Sequence, residues 1–491
     1  MRISLMAFLL FTVQLVSAQA RTFTLQDAEN AKPIPFATVV TGPGSGTITN
    51  EEGIFTIDLS SVSGDLKISC LGYRSLAVAP SDMPPGQNIL QLQPAAINLN
   101  EVRVGGAIPS ADAIVRQVRE RLDENHPSSG PGYTIFYRES DHMKFDDLVL
   151  ELEKASDLNR EELREADARL RQLGADIVKA NVREYLDFGG VWKAVSDTSS
   201  ILQVDQAIEL VDHSRDFSMD NIQKRAQAII LDHLDTTQTY KMKTGLFKIE
   251  DSISPGQEFA EGSEREDSIG TGYLKEKVSR LMAMGGWKDG TRLRSFLDPD
   301  AYEYRFLDAT YFDGYYVYAI GFEPGKRKSK YSGVLYVEAN SFAVLKADYR
   351  YARGKGGDKV NLKLLLGIKY EENLSRGTVI FKRNEDNTFF PYYIEIDSGN
   401  YVYLHRELKF IENSPARKKV RFDFLLEGRA RERESMLVQP VAAGSGASLT
   451  AAEEIEKIPL LRPGRFERSV WQDATIIEPL EDMKNFRVEE R

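Results

Sequence analysis

The sequence predicts a multidomain, mainly β protein: a small N-terminal β-sandwich followed by an α+β body with a large antiparallel sheet. Three observations carry this. From Arg21 to Val104 short apolar runs alternate with turn residues, the pattern of a sandwich. From Ala301 to Leu426 strand and turn signals follow one another with period-two alternation. The 491 residues exceed what a single core serves, so two or three domains are expected. The predicted boundaries are a signal peptide at 1–20, the sandwich at 21–104, a mixed α+β segment at 105–300, the antiparallel region at 301–440, and a linker with a docked tail at 441–491.

The first element is an export signal. Arg2 supplies a positive charge, Leu5 to Val16 is almost entirely apolar, and Ser17-Ala18-Gln19-Ala20 offers small residues for cleavage after Ala18 or Ala20. An apolar run of this length falls short of the ~20 residues that span a bilayer. The expected location is the periplasm or the outer membrane, with the extracellular side open. The formal charge is −11, and −12 once Arg2 is lost with the signal, which argues against nucleic acid or anionic lipid as a main partner. No later run is apolar enough for a transmembrane helix, and the strands after Val360 are too few for a closed outer-membrane barrel. Cys70 is the single cysteine, so no intramolecular disulfide forms, and its apolar neighbours Leu66 to Leu71 predict a buried, inert thiol.

Within the sandwich, Pro33 and Pro35 precede the strand Phe36 to Val40, and Gly42 to Gly46 must turn. Thr47 to Asn50 leads through Glu51-Glu52-Gly53 into Ile54 to Ile57, a hairpin in which Gly53 takes positive φ. Strands follow at Leu66 to Leu71 and Ile89 to Leu92. Pro33-Ile34-Pro35-Phe36-Ala37, Gly46-Thr47 with Thr49-Asn50, Glu52-Gly53-x-Phe55, Ile68 to Tyr73 and Leu99-x-Glu101-Val102-x-Val104 together closely resemble the carboxypeptidase-regulatory-like domain. That domain stands at the N-termini of many exported Bacteroidetes proteins, outer-membrane transporters included. The resemblance implies a transthyretin-like sandwich serving as a structural or interaction module, and it does not imply peptidase activity.

In the body, Ser110 caps a helix whose apolar face is Ala111, Ile114, Val115, Val118 and Leu122, ended by Asn125-His126-Pro127. A strand follows at Gly132 to Glu139. This helix and Phe-Tyr-Arg-Glu strand resemble a broad group of Bacteroidetes envelope proteins. A second helix starts after Asp157 or Asn159, with Leu163, Ala166, Leu170 and Leu173 on one face. Ser196 to Leu234 reads as more helical than not, with Ile222, Ala226, Ile229 and Ile230 as a stripe, and acidic Glu258 to Asp267 as a loop.

Strands at Tyr315 to Phe322, Tyr331 to Val337 and Phe342 to Tyr351 open the sheet. Tyr-x-Gly-x-x-Tyr-Val at 331–337 resembles the same group and, more remotely, the half-barrel sheets of periplasmic lipoprotein carriers. Further strands are predicted at Leu362 to Tyr370, Thr378 to Lys382, Phe390 to Ile396, Tyr401 to Phe410 and Val420 to Leu426. The aromatic tail with Phe466, Trp471, Ile476-Ile477-Glu478-Pro479 and Phe486 is expected to dock on the body.

No motif names a reaction. His126, His142, His213, His233 and His405 stand singly, and Asp212-His213 with Asp232-His233 and Asp235 match no metal-ligand spacing, so they read as surface polar residues. Gly-x-Ser-x-Gly is absent, and Gly354 to Asp358 is too short for a phosphate loop. No catalytic residue, cofactor or metal is therefore assigned. The basic run Lys326 to Lys330 reads as a solvated hairpin tip. The one ligand platform is Tyr401 with Tyr403, which alternation places on one face. The expected function is a non-enzymatic envelope protein that binds or scaffolds, with an envelope or outer-membrane protein as partner and a glycan or lipid left open. The alternatives are a glycan- or peptide-processing hydrolase built from distant carboxylates, and a periplasmic carrier of acyl chains or lipoproteins.

Overall fold

The computed structural model describes residues 20–84, 86, 88–95, 108–127, 130, 132–179, 181–196, 199–211, 237–244, 247–253, 267–441, 455–471 and 474–488. The chain divides into two units, residues up to Ala96 with Tyr311–Gly314, and Ile97–Thr310 with Tyr315–Arg491.

The N-terminal unit is a two-sheet sandwich. Strands β1 (Ala20–Asp27), β2 (Thr38–Gly42), β3 (Ser45–Ile48), β4 (Ile54–Asp58), β5 (Leu66–Ser69), β6 (Leu76–Val78) and β7 (Ile89–Leu92) form sheets of order β4-β1-β7 and β3-β2-β5-β6. Alternate residues Phe23, Leu25, Phe55, Ile57, Leu66, Ile68, Leu90 and Leu92 point inward to one core, in which the Phe23 and Phe55 rings stack at 5.3 Å. Among the described residues one buried polar group of the sandwich, Thr38 Oγ1, has no partner, whereas Thr49 and Asn50 are fully engaged. Thr49 Oγ1 accepts from the Ala37 amide and donates to the Ile34 carbonyl, both at 2.8 Å. Asn50 Oδ1 holds the amides of Glu52 and Ile54, closing the predicted hairpin, and Gly53 has φ of +71° with no room for a Cβ beside the Leu25 carbonyl. Cys70 is half-buried at the edge of this core, more exposed than the apolar run implied, because it follows the end of β5.

The body is a 15-stranded sheet with helices against it. Its first strands are β8 (Tyr133–Ala155), β9 (Asn181–Ala194), β10 (Ser200–Val211), β11 (Tyr240–Thr244), β12 (Phe247–Ile253) and β13 (Ser268–Gly270). The series continues with β14 (Tyr302–Phe312), β15 (Tyr315–Pro324), β16 (Tyr331–Glu338), β17 (Val344–Tyr351) and β18 (Lys359–Leu362). Last come β19 (Ile368–Arg383), β20 (Phe389–Glu412), β21 (Lys419–Pro440) and β22 (Lys457–Leu461). The principal order is β13-β22-β10-β9-β8-β21-β20-β19-β17-β16-β15-β14, antiparallel except where β10 meets β22. Helices are α1 (Ala111–Glu120), α2 (Leu122–Asn125), α3 (Arg160–Lys179), α4 (Thr271–Met284), α5 (Arg292–Ser295), α6 (Lys363–Leu366) and α7 (Glu481–Lys484).

The predicted first helix stands as α1, with Ser110 Oγ accepting from the Ala113 amide. α3 begins at the predicted place: Asn159 Oδ1 takes the amides of Glu161 and Glu162, and Glu162 returns to the Asn159 amide. Its inner face, Ala166, Leu170, Gly174 and Ile177, covers Phe145, Leu148, Leu150 and Leu152 of β8 and Phe410 and Phe422 beside them. A Cβ on Gly174 would lie 2.5 Å from the Leu148 carbonyl oxygen, so the close approach of helix to strand requires glycine there.

Three readings change. Ser200–Val211 is strand, paired along its length with β9, because its apolar residues are satisfied by sheet burial; the proposed stripe from Ile222 to Ile230, Asp212-His213, Asp232-His233 with Asp235, and most of Glu258 to Asp267 lie outside the described residues. Phe390 to Ile396 and Tyr401 to Phe410 are halves of one strand, since Ser398-Gly399-Asn400 stays extended between β19 and β21 instead of turning. Leu362 to Tyr370 is broken by α6, and Gly367 in the left-handed region returns the chain into β19.

Candidate functional site

Residues 133, 135, 137 and 139 of β8 share one sheet face with 186, 188 and 192 of β9, 434 and 436 of β21, and 394 and 396 of β20, and Phe390, beyond a bulge in β20, packs on Tyr133. α4 lies over this face and serves two sites. Lys277 and Arg280, one turn apart, reach down to acids on β8 and β21, whereas Ser279, Met282 and Ala283 line a cavity at the strand ends.

The cavity has a volume of about 290 Å³. Its wall is aromatic: Tyr133 packs on Phe390 at 5.7 Å and on Trp192 at 6.5 Å, and Trp287 stacks on Phe381 at 5.7 Å. Trp192 Nε1 donates to Ser279 Oγ at 3.3 Å, and Ser200 shares that hydroxyl. Trp287 is 6% exposed, and its Nε1–H is buried without an acceptor among the described residues. An indole N–H without a partner costs the desolvation of a donor, roughly 1–3 kcal/mol, and because the nitrogen itself is fully buried an acceptor in the cavity reaches it only when the wall around Trp287 shifts. His126 closes the inner wall between Phe381, Trp287 and Phe389. Its Nε2 accepts from the Val344 amide at 3.2 Å, so the ring is neutral. Burial pushes the imidazole down to about 3, opposed slightly by the Phe389 backbone.

The second site is an acidic ladder. Across the β8–β21 pair Glu139 faces Glu434 and Asp141 faces Glu432. Lys277 Nζ holds Glu139 at 2.5 Å, Arg280 pairs with Glu434, and the Tyr137 hydroxyl donates to both acids. Burial raises the Glu432 and Asp141 carboxyls, and the surrounding acids push the same way. One oxygen from each of Glu139, Glu432 and Glu434 lies within 4.8 Å of the others, close enough for a divalent cation. Glu139 and Glu434 are already neutralised by Lys277 and Arg280, so a cation would compete with two resident positive groups. Chemically the ladder is a charge-balanced clamp that seats α4 and, through it, the cavity wall.

The opposite face is also ionic at this level. Arg138 grips the buried Asp187 through two nitrogens and donates to the Ile477 carbonyl at 2.8 Å, which ties down the C-terminal segment. Trp471 meets Phe136 edge-on and Phe486 meets Tyr185. Asp397 resists burial's upward pull because Arg431, Arg433 and Arg376 hold its carboxyl below the ordinary range.

Tyr401 and Tyr403 sit side by side on β20, two residues apart and half-buried. Their rings already carry cations: Lys369 Nζ lies 4.7 Å from the Tyr401 centroid and Lys363 Nζ 3.7 Å from that of Tyr403, while the Tyr401 hydroxyl donates to Glu427 at 2.6 Å. They stand on the face opposite the cavity. The basic loop Lys326 to Lys330 forms the turn between β15 and β16, and Lys330 pairs with Asp358 at 3.4 Å. The cavity residues were not singled out by the sequence reading. A signal existed: Gly189-Gly190-Val191-Trp192 and Gly285-Gly286-Trp287 place two of the three tryptophans after paired glycines. Gly190 has no room for a Cβ beside the Gln203 carbonyl, and Gly285 brings the end of α4 against Ile394.

The fold and site define a mainly β protein with an N-terminal sandwich and a body that encloses an aromatic cavity under one helix. Residues 24–104 match the family model of the CarboxypepD_reg-like domain. No curated protein matches the chain. Among solved structures, a LolA superfamily protein from Nitrosomonas europaea is similar over 70% of this chain and 100% of its own, at 9% identity and a TM-score of 0.19. A DUF1329 family protein from Desulfovibrio piger is similar over 71% of this chain and 100% of its own, at 10% identity and a TM-score of 0.19. Likenesses at this level carry no inference about the body. Among the described residues no helix is long and apolar enough to cross a membrane.

Proposed function

We propose that this is a non-enzymatic binding protein of the cell envelope, in which the N-terminal sandwich docks to a partner and the body holds a small aromatic or acyl group bearing a hydrogen-bond acceptor. The observation that carries this is the cavity walled by Tyr133, Trp192, Trp287, Phe381 and Phe390, with the Trp287 N–H left to be satisfied. The aromatic side faces a polar one of Ser200, Ser279, Lys288, Asn384, Asp386 and Thr388, which suits a small ligand with an apolar body and a polar group, and about 290 Å³ is near the lower limit for ligand sites. The hydrolase reading finds less support, because the convergent acids Glu139 and Glu434 are engaged by Lys277, Arg280 and Tyr137.

Naphthol is a suitable probe, since it presents one oxygen on a flat apolar body. Binding is expected to change the fluorescence of Trp192 and Trp287. Trp287→Phe keeps the ring and removes the donor, and should weaken binding about tenfold. Ala283→Phe fills the space and should abolish it. Binding that survives Ala283→Phe unchanged would place the probe elsewhere and defeat the proposal. Decanoate as competitor separates the carrier reading: displacement of naphthol by decanoate supports an acyl ligand, and its failure supports an aromatic one.

A further inference from the structure

Across Lys359–Lys369 the chain reads Lys-Val-Asn-Leu-Lys-Leu-Leu-Leu-Gly-Ile-Lys, with six aliphatic residues, three lysines and no acid. Such a run would ordinarily be core. Here it protrudes: all of β18 is exposed, Leu364 is fully exposed, Leu365 is 82% exposed, and Val360 and Leu362 are 45% and 37% exposed. The tip is nevertheless held in shape. Gly367, with φ of +61°, donates to the Lys363 carbonyl at 3.0 Å, its own carbonyl accepts from the His405 amide at 2.8 Å, and a Cβ there would lie 2.2 Å from the His405 carbonyl oxygen. A shaped, exposed cluster of leucines in water is unfavourable in proportion to its area, so it implies a surface that covers it.

The charges indicate which surface. The chain as a whole is acidic at −11, yet the leucines share their run with Lys359, Lys363 and Lys369, and the acids beside it are engaged: Glu371 with Lys369 at 3.4 Å, Asp358 with Lys330 at 3.4 Å and Asp423 with His405 at 3.1 Å. Tyr401 and Tyr403 stand behind the tip under Lys369 and Lys363. Apolar tip, basic collar and tyrosine behind is the order of an element seated in the interface of an anionic bilayer, with leucines at the acyl boundary, lysines at the phosphates and phenols at headgroup level. We infer that the Lys359–Lys369 hairpin is a membrane-contact tip that inserts Leu364 and Leu365 into the surface of an anionic lipid bilayer, without spanning it.

The test is flotation of the full mature chain with vesicles of phosphatidylcholine containing about one-third phosphatidylglycerol, beside pure phosphatidylcholine. The protein should float with the anionic vesicles, less so at high salt, and Leu364→Glu with Leu365→Glu should lower the bound fraction at least about tenfold. Both side chains are exposed, so the double variant folds; its circular dichroism and unfolding midpoint should match those of the parent. Absence of flotation by the parent, or equal flotation by the double variant, overturns the inference. So does light scattering that shows the parent to be a dimer and the double variant a monomer, since the tip would then be covered by a second copy.

Discussion

The buried imidazole of His126 makes the body's stability depend on pH in a way that can be calculated. In the unfolded chain this ring titrates near 6.5, and in the folded body burial holds it down to about 3. Above the unfolded value both states are neutral and the contribution is complete. As pH falls through 6.5 the unfolded chain takes up a proton that the folded one refuses, so stability is lost progressively until the folded value is reached. Between about pH 7 and about pH 5 the loss is about 2 kcal/mol, fixed by the unfolded value because the folded one lies well below that window. His126→Gln supplies a non-titrating acceptor for the Val344 amide. It should shift the unfolding free energy by a constant and remove the pH-dependent part, so that the difference from the parent shrinks by about 2 kcal/mol between those two pH values. All three tryptophans, Trp192, Trp287 and Trp471, lie in the body, so urea unfolding followed by their fluorescence reports on it alone. A parent and variant whose difference stays the same within about 0.5 kcal/mol at both pH values would refute the claim that the ring is held neutral.

Two more substitutions probe the buried charges. Asp141→Asn removes a carboxyl whose pKa is raised by burial and by Glu139 and Glu432; a raised folded pKa gives stability below the unfolded value that is lost as pH rises through the folded one, so the variant should gain on the parent in alkaline urea melts. Arg138→Met leaves Asp187 buried without its cation and frees the Ile477 carbonyl; destabilisation of about 3–5 kcal/mol and early proteolytic loss of the segment after Lys457 are expected, and a protected tail would show that Trp471 and Phe486 suffice to dock it.

The sandwich was legible because its signals are local: prolines that forbid pairing, Asn50 and Gly53 that close a turn, and strict alternation into one core. The position of α3 was legible for the same reason, since Asn159 and Glu162 cap it without help from the rest of the chain. The body's sheet was visible as a set of strands but not as lengths, because Ser398-Gly399-Asn400 has turn composition and is kept extended only by partners on both sides. The cavity was hidden because its walls come from four separate segments, 126–133, 192–200, 279–288 and 381–391, that only the tertiary fold brings together. Tyr401 and Tyr403 lie two residues apart on β20, whereas the lysines over their rings come from β19 and the turn before it, which alternation along β20 does not reveal. The apolar stretch from Leu362 was read as one strand running to Tyr370; the break at Gly367 and the exposure of Leu364 and Leu365 depend on the hairpin's tertiary place, which periodicity does not report.

β20 runs from the cavity to the basic hairpin without a break. Phe390 stands in the cavity wall and Tyr403 beside Lys363, thirteen residues further along one extended strand. At ~3.3 Å per residue that is a rod of about 40 Å, longer than the hydrocarbon thickness of a bilayer. With β20 standing upright on the lipid, a protein resting there through Leu364 would hold its cavity away from the lipid surface, in the aqueous layer. Any molecule bound there is presented at a fixed standoff, reached from water and returned to water, and its exchange should proceed at the same rate whether or not vesicles are present.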